Sequence, residues 1–357
     1  MQTNAAFSWK KSVVTAIARL YYYSGLFRAH LWWSCRAKPR TLILMFHRVL
    51  PAESPVWQQH LALPTIIVSL ENFLRLLKFV GKYFKFVSLP EFVVHAQLGG
   101  GLFQRQCILT FDDGYRDFLL HAWPVLHSRR LPVTMFIPTA FMGTTDRFWW
   151  DELFAHCVAL AEVPAGVDDG PLQELLQRLV TVDEAEREQL AYELIARVQD
   201  WPVERLNALI HHMASVQRTD AAITRSPNEL LSWDEIRELR AGGVHFGSHT
   251  RRHVNLKVVA PECAQQEVAQ SKRELESRLQ EPVDSFSFPG GHASEAVEQL
   301  VKDAGYTHAC TTRRGLNGTE EGLFRLRRVN MWDGAVQDHR GRFSPAVTAL
   351  NLMRTFS

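Results

Sequence analysis

The stretch LTFDDGYRD, residues 109–117, decides how the rest of the chain is read. Leu109, Thr110 and Phe111 have the apolar and β-branched character of a buried strand, and they run straight into two adjacent carboxylates, Asp112 and Asp113, and a glycine. Asp and Gly are ordinary turn residues, so a lone DDG fits a loop as readily as a site. Neighbouring carboxylates repel, however, and one stays ionised at low cost only beside a cation or strong hydrogen-bond donors. The pair therefore calls for a partner from elsewhere in the chain.

The same strand character recurs in TLILMF (41–46), CILTF (107–111), VTMFIP (133–138), VHFGS (244–248), DSFSF (284–288) and THACT (307–311). Helical patterns lie between them, such as SLENFLRLLKFV (69–80) and PECAQQEVAQSKRELESRLQ (261–280), the latter with proline in its first turn. Near-continuous apolar strands separated by helices predict a parallel sheet covered on both faces, either an α/β barrel or a doubly wound sheet. The alternation breaks between about Leu153 and Leu230, where only helical patterns occur, so 153–230 is expected to be a helical insertion. Strand organisation resumes after LSWDEIRELRAGG (231–243), with Ser232 as N-cap and Gly242 or Gly243 as the helix stop.

In such folds the chemistry gathers at the C-terminal ends of the strands. His47 follows the first strand pattern, Asp112 and Asp113 the second, His249 the fourth, and Pro289-Gly290-Gly291 the fifth. GSHTRRHVNL (247–256) sets His249 and His253 four apart, a spacing at which two imidazoles on a helix or tight turn reach one metal ion. Alone they read as unrelated loop histidines. Joined to a carboxylate pair at another strand end they point to a mononuclear His-His-Asp site with positions open to water and substrate. One aspartate then ligates the metal and the other acts as general base.

Composition narrows the classes further. With 46% hydrophobic and 22% charged residues the chain reads as a globular protein, and a formal charge of +2 leaves no nucleic-acid footprint. The five scattered cysteines, Cys35, Cys107, Cys157, Cys263 and Cys310, form no CxxC and read as reduced thiols in a cytoplasmic setting. Residues 1–40 stand apart. No Asp or Glu occurs from Met1 to Ala52, whereas Lys10, Lys11, Arg19, Arg28, Arg36, Lys38 and Arg40 are basic and aromatics such as Trp9, Tyr21, Phe27, Trp32 and Trp33 are interleaved. Charges interrupt every apolar run before it reaches a membrane span, and no signal-peptide pattern stands out. Two readings follow: a helix lying peripherally on the anionic inner membrane, or a helix packed on the domain with a solvated basic edge.

TFDDG (110–114), SHTRRH (248–253) and FPGG (288–291) together resemble the motifs of polysaccharide deacetylases, the NodB-type carbohydrate esterases of family 4. The resemblance runs from about Leu42 to Asp333 and implies a distorted (β/α) barrel carrying the helical insertion. It also implies metal-dependent removal of N-acetyl groups from a GlcNAc-containing polysaccharide or its lipid-linked precursor. By position, Asp112 resembles the base, Asp113, His249 and His253 the metal ligands, and Pro289, Gly290 and Gly291 the substrate and oxyanion turn. Zinc is the implied metal, and cobalt, nickel or iron fit the same ligands.

The chain departs from the family pattern twice. The arginine common two residues before the motif proline is Ser287 here, and the tyrosine whose backbone amide binds the oxyanion is Gly290; a backbone donor needs no side chain. The late LxH motif is absent, but LMFHRV (44–49) sets His47 after a strand, as in a circularly permuted branch resembling bacterial poly-GlcNAc deacetylases. His47 is then the candidate acid for the leaving amine. RFWWDEL (147–153) offers Trp149 and Trp150, of which Trp150 is a candidate for stacking on sugar, with core packing the equal alternative. Arg327 and Arg328 read either as holding a carboxylate near the site or as lying on the barrel rim. The expected organisation is an N-terminal helical segment (1–40), a catalytic domain (41–335) and a C-terminal tail (336–357). The opposing class is a catalytically silent glycan-binding or scaffold protein, against which the retention of Asp112, Asp113, His249 and His253 argues.

Overall fold

The computed structural model describes residues 2–58, 61–98, 103–165, 169–217, 229–318 and 322–354. The apolar runs fold as strands: β1 (Arg40–Phe46), β2 (Arg48–Leu50), β3 (Ile67–Ser69), β4 (Lys85–Phe86), β5 (Arg105–Asp112), β6 (Val133–Ile137), β7 (His245–Ser248), β8 (Ser285–Ser287), β9 (His308–Cys310) and β10 (Val329–Asn330). A parallel sheet runs in the order β10-β1-β5-β6-β7-β8-β9, with β4 also on β5, while β2 and β3 pair separately. Past β9 a parallel bridge joins Cys310 to Leu326, three residues before β10 begins. The two ends of the sheet thus meet, and the architecture is a distorted (β/α) barrel.

Every residue of β1 after Arg40 and of β5 after Arg105 is buried, as a sheet covered on both faces requires. Ile43, Ile108, Phe136, Cys310 and Leu326 fill the floor of the barrel. On the other face Phe46 and Phe111 pack on Phe73 of the helix Leu70–Val80, with Phe46 and Phe111 stacked 5.1 Å apart. Each such buried ring contributes about 1.5–3 kcal/mol.

Between β6 and β7 the described residues contain no strand. They form the helices Trp149–Val158, Gly170–Thr181, Glu184–Val198 and Val203–Ala214, followed by Trp233–Ala241. Ser232 caps that last helix in a reciprocal pair with Glu235, and Gly242 ends it, as its sequence predicts. At the N-terminus, α1 (Gln2–Tyr23) and α2 (Leu26–Cys35) form a helical hairpin. Residues 336–357, expected as a tail, instead carry the helix Pro345–Met353, capped by Ser344, with Ala346, Val347, Ala349, Leu352 and Met353 buried. Its Ala346 and Val347 pack on Ala18 of α1. The five cysteines are unpaired. No described helix is long and apolar enough to cross a membrane.

Candidate metal centre and active site

Register brings the functional groups to one edge. Phe46 pairs with Phe111, which sets His47 and Asp112 level at the ends of neighbouring strands. Asp112 pairs with Phe136, Ile137 with Ser248, and Ser248 with Phe286, so Asp113 and His249 emerge on the same side. A cavity of about 220 Å³ opens there, lined by His47, Asp112, Asp113, His249 and His253.

Asp113 leaves its strand in the left-handed region, with φ of 76°, while its N–H still donates to the Phe136 carbonyl at 2.9 Å. Gly114 follows at φ of 75°, a left-handed conformation that strains any residue with a side chain, and a Cβ there would also press on Met142 and Ile137. The SHTRRH segment is a tight turn rather than a helix, with Thr250 and His253 at φ of 64° and 52°. The helix Pro261–Leu279 holds it: Glu267 accepts from the backbone N–H of Arg251 (3.0 Å) and of Arg252 (2.7 Å), and Glu274 accepts from Arg251 Nε at 2.9 Å. His249 donates Nδ1–H to the Ser287 carbonyl at 2.7 Å, which leaves Nε2 facing Asp113 Oδ1 at 3.6 Å. His253 Nε2 lies 3.4 Å from the same oxygen.

Trp150 backs this arrangement. Its ring centroid is 4.6 Å from that of His253, and it stacks at 4.5 Å on Phe148. Its indole N–H donates to the Tyr115 hydroxyl at 3.3 Å, which in turn donates to Asp151 at 2.6 Å. Trp150 borders the cavity but is only 8% exposed, so most of its surface is packed inside, against Phe148, Trp149 and His253. Pro289 and Gly290 also border the cavity. Gly291 faces elsewhere: its N–H goes to the Phe288 carbonyl at 2.8 Å, and a Cβ on it would collide with Thr312.

The partner of Asp112 is Arg328, the residue just before β10. Both are buried, and the guanidinium grips the carboxylate with two bonds of 2.7 Å, NH1 to Oδ1 and NH2 to Oδ2. NH2 also donates to Ser287 Oγ at 2.8 Å, and Nε to the Thr311 carbonyl at 3.0 Å. The small serine where the family commonly has arginine thus leaves room for an arginine arriving from another strand. Burial alone would raise Asp112, but the Arg328 charge outweighs it and holds the carboxylate down at about 2.

Asp113 shows the opposite balance. Burial, reinforced by the charge of Asp112, pushes it well above the usual carboxylate range. Its Oδ1 is buried with no hydrogen-bond partner. Burial also lowers His249 and His253, leaving both imidazoles neutral with lone pairs to give. One ligand atom from each of the three residues lies within 4.8 Å of the others. Ligands at ~2.1 Å from a tetrahedral ion stand about 3.4 Å apart, close to the separations seen here. The residues present fit a divalent cation.

His47 is half-buried, its Nδ1 is enclosed with no hydrogen-bond partner, and desolvation lowers it to about 4 against the favourable charge of Asp112. The next residue fixes its strand end. Arg48 donates to Asp117 at 2.6 Å and lies 4.3 Å over the Tyr115 ring, tying the exit of β1 to the DDGYRD turn.

A family profile described as polysaccharide deacetylase matches residues 102–309. The chain belongs to the polysaccharide deacetylase family. YxkH of Bacillus subtilis (strain 168), a protein assigned to the polysaccharide deacetylases, is 27% identical over 104 residues, which cover 29% of this chain and 37% of that relative's length. Among solved structures, the Streptococcus pyogenes deacetylase PplD in complex with acetate matches with a TM-score of 0.56 at 18% identity, covering 90% of this family member and all (100%) of PplD. IcaB from Ammonifex degensii matches with a TM-score of 0.54 at 15% identity, covering 88% and 97% of the two chains. At these identities the likeness establishes the fold.

Proposed function

We propose that the chain is a metal-dependent carbohydrate deacetylase that hydrolyses N-acetyl groups on a GlcNAc-containing glycan, with residues 41–335 as its catalytic unit. The observation that carries this reading is the split state of the two aspartates. Asp112 is neutralised by a buried guanidinium, while Asp113 has no cation of its own and faces two neutral imidazoles. Asp113, His249 and His253 are assigned to hold the cation, zinc by preference, with cobalt, nickel and iron as alternatives. A cation bound there supplies Lewis acidity to water and to the acetyl carbonyl.

The chain's own groups are assigned the remaining tasks. Asp112, held ionised and oriented by Arg328, accepts the proton of the attacking water as the water oxygen bonds to the acetyl carbon. The backbone amide of Gly290 faces the developing oxyanion. The bond between carbon and nitrogen then breaks, and His47 gives a proton to the leaving amine. His47 is neutral at rest, and its imidazolium, with a value near 4, is a stronger acid than that of an exposed histidine. The balance closes when the proton taken by Asp112 passes to His47 and on to the amine, so each turnover consumes one water and yields a free amine and acetic acid, which ionises to acetate.

The surroundings support a sugar substrate. Trp149, Gln199, Asn255 and His292 border the cavity and combine an aromatic face with amide and imidazole groups. Trp149, Gln199 and Asn255 continue into an adjoining cleft of about 830 Å³ that also includes Trp201. The test is acetate release from poly-GlcNAc and chitooligosaccharides, paired with metal analysis of the purified protein. One divalent ion per chain and acetate release lost on chelation are expected. Release from neither substrate by the metal-loaded chain would overturn the proposal.

A further inference from the structure

We infer that the outward face of the α1–α2 hairpin is a docking surface for an anionic lipid bilayer, with the helices lying in the plane of the membrane surface. The inward face is spoken for. Ala18 packs on the helix Pro345–Met353, and Phe27, Leu31 and Cys35, at helical spacing along α2, are buried in the main core. A surface helix anchored in this way ordinarily turns a polar face outward.

Here the outward faces are apolar. Val13, Ile17 and Leu20 recur at the i, i+4, i+7 spacing on the side of α1 away from Ala18, and all are exposed, Leu20 by 70%. Leu26 and Trp33, seven residues apart and so on one side of α2, are 56% and 64% exposed, and Trp32 beside them is 64% exposed. Seven of the thirteen large hydrophobic side chains exposed among the described residues fall between Val13 and Trp33. That concentration marks a surface meant to be covered.

Charge identifies what covers it. No acidic residue occurs from Met1 to Ala52, while Lys10, Arg28, Arg36 and Lys38 accompany the apolar faces. A second copy of the hairpin would bring basic residues against basic residues with no carboxylate from either segment to pair them. An anionic bilayer meets both requirements at once. Tryptophan sits at the headgroup boundary, arginine and lysine extend their charges to the phosphates, and the aliphatic side chains enter the acyl region. Arg36, whose guanidinium lies 5.7 Å over the Trp32 ring, already couples the two kinds of group. No described helix is long and apolar enough to cross a bilayer, and the contact inferred here lies at its surface.

The test is sedimentation of the full chain with vesicles of phosphatidylcholine alone and of equal parts phosphatidylcholine and phosphatidylglycerol. Binding is expected with the anionic vesicles and is expected to weaken as salt rises. The double variant Trp32→Ala/Trp33→Ala should lower the partition coefficient ~10-fold or more, and Arg28→Glu/Arg36→Glu ~25-fold or more. All four side chains are exposed, so circular dichroism and melting temperature should stay unchanged. Equal binding to both vesicle types, or none by the folded full chain, would overturn the inference. So would a dimer that the tryptophan variant dissociates while vesicle binding is absent. Because the readout is partitioning rather than turnover, the result stands apart from the deacetylase reading.

Discussion

Replacing Arg328 with methionine removes the positive charge on which Asp112 depends while keeping a long, unbranched side chain in the barrel floor. The carboxylate loses two charge-assisted bonds of 2.7 Å and stays buried between Ser287 and Thr110. Leaving one member of a buried ion pair unpartnered costs about 3–5 kcal/mol, a large share of a domain's stability. Linkage gives a smaller figure for the intact pair. Asp112 falls from 3.8 to about 2, which is worth about 2 kcal/mol. Because its folded value is depressed, that contribution is present above pH 3.8 and is lost as pH falls toward 2. Urea melts at neutral pH should therefore show a several-kcal/mol loss in Arg328→Met, and adding Asp112→Asn should recover much of it. The acid limb of the kcat/KM profile should move upward in Arg328→Met, since Asp112 then protonates more readily. Moving the guanidinium back to β8, with Arg328→Ser and Ser287→Arg together, should restore part of both. If Arg328→Met lost less than ~1 kcal/mol, and the two substitutions added within about 0.5 kcal/mol, the pairing would be structurally idle.

Three further outcomes follow, two at the same site and one away from it. Asp112→Asn should abolish acetate release while retaining metal, whereas Asp113→Asn should lose metal as well; since Asp113 is raised by burial, Asp113→Asn should also stabilise the metal-free protein in a thermal melt. His47→Ala should cost ~10²–10⁴ in kcat with metal content unchanged, and near-full activity would remove it from the acid role. His308, buried at the far side of the sheet, is lowered from 6.5 to about 4, so the native state is destabilised as pH falls through that window, by about 3 kcal/mol in full. His308→Gln should flatten the stability profile between pH 6.5 and 4, and an unchanged slope would refute this.

How far the sequence discloses this site depends on the kind of signal. β1 and β5 are long and buried on both faces, so they leave apolar runs that identify them unaided. The residues directly after them, His47 and the aspartate pair, are then placed by position alone. The short strands leave no such trace. β10 is two residues long, too few for any periodicity, so nothing in the sequence decides whether Arg328 enters the barrel or lies on its rim. Glu267 is hidden for another reason. It sits within the helix Pro261–Leu279 beside Gln265, Gln266 and Gln270 and reads as solvated surface, yet it is buried and binds the turn that carries His253. The C-terminal helix left ordinary signals of a helix start, Ser344-Pro345 with an apolar run behind them, which the reading of 336–357 as a tail passed over.

The placement of Arg328 also explains why the two aspartates can be adjacent. Side chains alternate across a strand, so Thr110 and Asp112 face the barrel interior together, and both lie within reach of Arg328. Asp113 breaks that alternation through its left-handed backbone and turns toward the imidazoles instead. One carboxylate is thereby neutralised from below by a guanidinium that belongs to the fold. The other is left above, facing two neutral imidazoles in a buried pocket that disfavours its charge unless a proton or a cation joins it. A guanidinium arriving from β8 or from β10 serves the first purpose equally, provided its planar fork meets both oxygens of Asp112. The motif position of that arginine is therefore free to move along the chain, because what chemistry constrains is the separation of the two neutralising charges and not the strand that supplies them.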